Sequence, residues 1–334
     1  MLTISKDHST LIKGIAIVMM VFLHLFNGNH TDMCVNLIFL GNVPFAKWLT
    51  NACNPVDFFL LLSGYGLAYT YDHKGLYFIQ QVKRILKLYV HYWLILLIFV
   101  FLGVLIKPES YPGSWNLFLL NLLGWFYTYN GELWFLLPYC MVSLVSPWII
   151  SFAKRIGGWR FVLLTGLIHV MTSYVISRYG ARYLYDDMLL YRPLQFFHFL
   201  YAFSVGVVFY LSKFNFNKVI PSRVAAILVI ILIVFVSSFG NSLIYMFYVP
   251  LMIIFFCKLS YPRWIKCILL ELGRKSMPIW MIHTWYCYYL FQPQIYSLKY
   301  PILILGGTIL VSYLTAIPIM WTANKILCIF NCNE

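Results

Sequence analysis

Ten apolar runs, most of them close to twenty residues long and separated by stretches of charge or turn residues, dominate the chain. They lie near residues 9–27, 55–71, 88–106, 132–152, 160–177, 192–211, 223–239, 241–258, 276–292 and 300–321. A helix crosses the hydrocarbon core of a bilayer with about 20 mostly apolar residues. The pattern therefore predicts an all-α polytopic membrane protein of about ten transmembrane helices. Two segments break the rhythm. Trp115 to Tyr127 is short and follows the breaker Tyr111-Pro112-Gly113-Ser114, so it reads as interfacial or re-entrant, and Val35 to Thr50 is interrupted by Gly41 and Pro44.

Composition sharpens this picture. Of 334 residues, 62% are hydrophobic and only 10% charged, against roughly 25% charged in a soluble domain. Disorder, a secreted disulfide scaffold and an ordinary cytosolic enzyme are excluded. The net charge of +14 would suggest nucleic acid in a soluble chain; here its distribution along the spans sets topology instead. If residue 1 is cytoplasmic, the loops on that side carry Lys6, Lys13, Lys74, Lys83, Arg84, Lys87, Lys154, Arg155, Arg160, Lys213, Lys218 and Arg223, and further on Lys258, Arg263, Lys266, Arg274, Lys275 and Lys325. Only Lys47, Lys107, Arg178, Arg182, Arg192 and Lys299 fall outside. Basic residues retained on one side predict ten spans with both termini cytoplasmic.

No small-residue cleavage site follows the first run, so it is expected to remain as an uncleaved span. With no linker or low-complexity tract, residues 1–334 are expected to form one membrane domain. The cysteines have no metal or redox spacing and read as structural thiols, although Cys34 and Cys53 share the first outer loop, where they could pair in an oxidising compartment.

Ionisable groups within spans cost several kcal/mol unless they face a cavity or a partner, which makes each a functional candidate. His24 stands eleven positions after Lys13. Eleven steps of 100° make three turns plus about 20°, with a rise of roughly 16 Å, so the two share one helix face at different depths. The plainer alternative is a snorkelling lysine and a packing histidine. Asp57, near the outer end of the second span, is placed to pair with His24; Glu132, at the start of the fourth, is the rival carboxylate. Arg84 and Lys87, three apart, project together from a helix and can clamp phosphate, or they simply satisfy topology. Ser63, Gly64 and Gly66 allow close helix approach, and His169 and His198 read as packing or cavity-lining groups.

In order along the chain, the stretch ending in His24, Val56-Asp57-Phe58-Phe59 to Ser63-Gly64, Lys83-Arg84-x-x-Lys87-x-Tyr89, Leu133-Trp134-Phe135-Leu136, and Leu272-Gly273-Arg274-Lys275-Ser276 with His283 resemble the acyltransferase 3 family of integral membrane O-acyltransferases. The family modifies bacterial surface polysaccharides and similar acceptors. The resemblance implies a ten-helix protein of the bacterial cytoplasmic membrane, acyl-CoA (acetyl-CoA first) as donor, and no metal. It makes His24 the candidate general base or acyl relay, with Lys13 where an arginine is often found. Two departures stand out: the arginine pair of many members is Arg84-x-x-Lys87 here, and Val90 replaces a proline. Lysine keeps the charge but loses the bidentate fork.

Acyl transfer from a thioester to a hydroxyl needs a base and oxyanion donors. Lys13, Arg84 and Lys87 are thus expected to hold the donor, with His24 and Asp57 catalytic. A glycan or lipid-linked sugar is expected on the outer side near Glu132 and Trp134, with Asp186, Asp187, Trp125, Tyr127 and Tyr129 close by. Direct and His24-relayed transfer both remain open at this level, as does the oligomeric state. The principal alternative is an exporter or carrier of polysaccharide or lipid-linked sugar; a glycan polymerase would need a long, arginine-rich outer loop that the chain lacks.

Overall fold

The computed structural model describes residues 4–212 and 221–329. Lys213, Lys218 and Cys332 lie outside the described residues.

Among the described residues the architecture is all-α apart from one hairpin of two-residue strands, Phe39–Leu40 with Val43–Pro44. The helices are α1 (Lys6–Phe26), α2 (Phe45–Thr50), α3 (Pro55–Lys74), α4 (Phe78–Ile106), α5 (Trp115–Leu122), α6 (Leu136–Ile156) and α7 (Gly158–Tyr179). They continue with α8 (Met188–Leu211), α9 (Ser222–Phe239), α10 (Ser242–Phe256), α11 (Arg263–Arg274), α12 (Ser276–Thr284), α13 (Gln292–Tyr296) and α14 (Pro301–Ile329).

Seven helical segments among the described residues are long and apolar enough to cross a membrane: α1, α4, residues 131–156, residues 158–184, α8, α9 and α14. The protein is a polytopic all-α membrane protein. The other three expected spans are present in altered form. The run at 55–71 is α3, 20 residues long but ending in polar Tyr71-Asp72-His73-Lys74. The run at 241–258 is α10, of only 15 residues. The run at 276–292 is not one helix: nine residues of α12 pass into the π-helical turn Trp285–Tyr289. The run at 88–106 begins ten residues earlier than its apolar pattern, because α4 carries its basic turn with it.

Small residues set the two tightest helix crossings. A Cβ at Gly14 or Gly273 would collide with the carbonyl of Leu269 or Thr10, which locks α1 against α11. Gly64 and Gly206 meet the carbonyls of Phe203 and Leu61 in the same way and lock α3 against α8. Between lipid-solvated helices such close packing replaces the missing hydrophobic drive.

The expected re-entrant segment is α5 with its following turn. Three side chains of α4 serve its exposed carbonyls: Tyr92 OH donates to Asn121 O, Trp93 Nε1 to Leu122 O at 2.9 Å and Tyr89 OH to Leu123 O at 2.8 Å. Irregular backbone near a membrane is tolerated only when protein satisfies it in this way. Arg192 of α8 completes the support. It is buried and donates to the carbonyls of Gly124, Trp125 and Trp134 at 2.7–3.1 Å. This arginine is therefore a buried brace.

Candidate active site

Two cavities lie back to back in the bundle. The first, about 300 Å³, is lined by His24 of α1, Asn54 and Asp57 at the start of α3, Glu132 and Trp134 of the 3-10 turn Gly131–Phe135, and His169 and His198 of α7 and α8. The second, about 350 Å³, is lined by Ser9 and Lys13 of α1, Ser63 and Gly66 of α3, Arg84 of α4, Tyr139 of α6 and Ser276 of α12. Among the described residues, Phe135 and Trp280 alone line both. Lys13, Ser9, Leu62 and Gly66 also border a wider vestibule of about 870 Å³ formed by Lys6, Tyr69, His73 and Tyr210. The helical arithmetic thus holds: one face of α1 delivers Lys13 to one chamber and His24 to the other.

The His24 chamber differs from expectation in its pairing. Nε2 of His24 lies 3.4 Å from Oε2 of Glu132, whereas Asp57 accepts a hydrogen bond from Asn54 Nδ2 at 2.8 Å. Asp57 lines the same chamber but is not the carboxylate against the imidazole. The reason is local. Asn54 immediately precedes α3 and captures the carboxylate within the first turn, while the 3-10 turn carrying Glu132 is clamped toward α1 and α12. Asn130 Oδ1 accepts from Glu132 N at 3.2 Å and from Thr284 Oγ1 at 2.9 Å, and Gly131 N donates to Tyr289 OH at 2.7 Å. The hydroxyl of Tyr288 donates to His24 O. All three α12-side anchors are invisible to sequence spacing.

His283, singled out only as part of a motif, stands behind His24 with ring centroids 5.2 Å apart. It is fully buried, and its Nδ1 donates to Trp280 O at 2.8 Å, which leaves Nε2 as the lone-pair nitrogen. His169 and His198 stack at 4.1 Å and line the chamber, as expected of them. Trp134 also lines it, and its carbonyl is held by Arg192 at 2.9 Å.

In the basic chamber, Lys13 and Arg84 are present and Lys87 is not. Lys87 is exposed on α4, about one turn beyond Arg84 and offset from it by about 60°, and its carbonyl accepts from His91 Nδ1 at 2.8 Å. Tyr139 was missed by sequence reasoning; its hydroxyl is 3.3 Å from Ser63 Oγ, within this chamber. Arg274 and Lys275 do not line either chamber. Both donate to the Glu271 carboxylate, as does Tyr313 OH at 2.9 Å. That clamp, with the Lys275 hydrogen bond as its largest contributor, holds the Glu271 carboxyl down to about 2.

Other residues expected on the outer side serve structure. Asp187 caps α8 by accepting from Leu189 N at 3.0 Å and Leu190 N at 3.3 Å. Tyr129 is a core residue whose hydroxyl donates to Pro112 O, and Tyr127 lies beneath the Arg192 guanidinium. Cys34 and Cys53 are free thiols, each donating to a nearby carbonyl, and burial pushes them up to about 11 and about 12.

The sequence model of the acyltransferase 3 family, described as an acyltransferase domain, matches residues 9–321. The chain belongs to the acyltransferase 3 family. No curated relative and no solved structure matches it. The match spans every group of both chambers, so the acyltransferase carries Lys13, Arg84, His24, Asp57 and Glu132 within its family domain. It is a multi-pass membrane acyltransferase.

Proposed function

We propose that this acyltransferase moves an acyl group, acetyl in the first instance, from cytoplasmic acyl-CoA to a hydroxyl of a cell-surface or lipid-linked glycan. The observation that carries the reading is the pair of chambers on one face of α1, one basic and one holding a histidine against a carboxylate. Lys13 and Arg84 supply fixed positive charge for a phosphate-rich donor, and the vestibule that continues from them has room and exposed aromatic faces for a nucleotide. The other chamber suits a polyol: Asp57 and Glu132 accept hydroxyl protons, and Trp134 offers an aromatic face. This reading puts the basic chamber on the cytoplasmic side, in line with the retained positive charge of that end of the bundle, in a bacterial cytoplasmic membrane.

The chemistry follows from the groups present. His24 Nε2 accepts the proton of the acceptor hydroxyl as its oxygen attacks the thioester carbon. The C–O bond forms, the C–S bond breaks, and the imidazolium returns the proton to the departing thiolate. Glu132 stabilises the imidazolium at 3.4 Å. His283 packs behind the imidazole and keeps it from turning away from the chamber. Direct transfer needs no covalent intermediate on His24.

The test is transfer of labelled acetyl from acetyl-CoA to alkali-labile ester in the envelope glycan fraction, in membranes carrying wild type or His24→Ala. Label with wild type alone is expected. Equal label from a well-expressed His24→Ala removes the histidine from the chemistry, and glycan movement that persists without acyl-CoA favours a carrier.

A further inference from the structure

The two chambers meet at Phe135 and Trp280. Where they meet, the rings of Phe135 and Trp280 form an edge-to-face pair with centroids 5.4 Å apart and planes at 66°, both buried. The pair is flanked by Phe199 of the His24 chamber and Tyr139 of the basic chamber, whose rings lie 5.3 Å and 5.4 Å from that of Phe135. The indole Nε1 of Trp280 donates to the carbonyl of Glu132 at 3.3 Å, and the carbonyl of Trp280 accepts from His283 Nδ1. The wall between the chambers is therefore tied by side-chain-to-carbonyl hydrogen bonds to residues that surround His24.

On the donor and acceptor reading, an acyl-CoA whose phosphates sit at Lys13 and Arg84 presents its thioester to one side of this wall, and His24 lies on the other. We propose that Phe135 and Trp280 form an aromatic septum that keeps water of the His24 chamber from the bound thioester and, by the width of its opening, selects short acyl groups. This inference rests on the reading of the chambers as donor and acceptor sites. Phe135 and Trp280 are positioning residues. The septum parts when the donor arm advances, and the indole gives up its bond to the Glu132 carbonyl as it swings. Loss of that bond releases the Glu132 turn from Trp280, so the carboxylate adjusts to His24 as the thioester arrives. With the septum shut, an acyl-CoA in the basic chamber faces a dry aromatic wall. With it removed, water adds to the thioester carbon, the C–S bond breaks, and the carboxylic acid and free CoA thiol leave.

The partition between hydrolysis and transfer reads this directly. Purified wild type, Phe135→Ala and Trp280→Phe would be given acetyl-CoA or butyryl-CoA, with and without the acceptor glycan. CoA thiol release and ester formed are measured separately. Trp280→Phe keeps a ring but loses the indole N–H; Phe135→Leu stands in if Phe135→Ala does not fold. We expect the Phe135 variant to raise thiol release relative to ester about two- to tenfold, the factor set by one lost edge-to-face contact, and to raise use of butyryl-CoA relative to acetyl-CoA. A loss of packing alone would lower transfer and hydrolysis together and leave both ratios unchanged, which overturns the septum. A wild type that forms no ester while it moves glycan without acyl-CoA overturns the functional reading, and the septum with it.

Discussion

Glu132→Gln tests the pairing that the structure substitutes for the one expected from sequence. Glutamine keeps the shape of the side chain and can still hydrogen-bond to the imidazole, but it removes the charge that stabilises a protonated His24. A unit pair at the observed 3.4 Å interacts by about 5 kcal/mol at an effective dielectric of ~20. The side chains are 14% and 23% exposed, and solvent screening together with desolvation removes about half of that, leaving about 2–3 kcal/mol. Turnover is therefore expected to fall roughly 30- to 150-fold, with a much smaller change in the acyl-CoA concentration needed for half-maximal rate. Asp57→Asn, whose charge is spent on Asn54 rather than on the imidazole, is expected to cost less than about tenfold. The assay is the initial rate of labelled acetyl transfer per mole of folded protein in detergent. A Glu132→Gln rate within a factor of about three of wild type, beside a large loss in Asp57→Asn, would refute this and return the pairing to Asp57.

Three further outcomes follow from the same geometry. Arg84→Ala should raise the apparent KM for acyl-CoA about tenfold or more with little change in kcat, whereas Lys87→Ala, which lies outside the chamber, should leave both within about twofold; titration of donor in membranes separates them. Gly14→Ala should lower thermal stability in detergent by about 1–3 kcal/mol or more because its Cβ meets backbone that cannot yield, while Gly66→Ala meets nothing within 4 Å and should be tolerated for stability, as differential melting of the two variants would show. The Glu271 carboxyl is depressed to about 2, so its clamp on Arg274, Lys275 and Tyr313 should be fully present above about pH 5 and lost as pH falls toward 2. Its side chain is 35% exposed, so the effect is small and screened by salt. Unfolding midpoints of wild type and Glu271→Gln should accordingly differ near neutrality and converge in acid.

The apolar runs alone determined that this chain is helical and membrane-embedded, because a bilayer admits few other solutions to backbone hydrogen bonding. One face of α1 was also legible, since 11 residues return a helix to nearly the same azimuth; Lys13 and His24 do serve adjoining chambers. Boundaries were less legible. Arg84 and Lys87 sit on α4 rather than in a loop, and the run at 276–292 breaks at Trp285, because helix propensity and hydropathy do not register where a π turn will form. Pairing was not legible at all. Both Asp57 and Glu132 lie at span ends of suitable depth, and only the tertiary fold decides between them, through Asn54 capturing one carboxylate and Asn130, Thr284 and Tyr289 holding the turn that presents the other. The wall of Phe135 and Trp280 has the same origin. Its two rings are 145 positions apart in the chain, and no local pattern can show that α12 will carry one onto the other; distance in space, not in sequence, separates the two chambers.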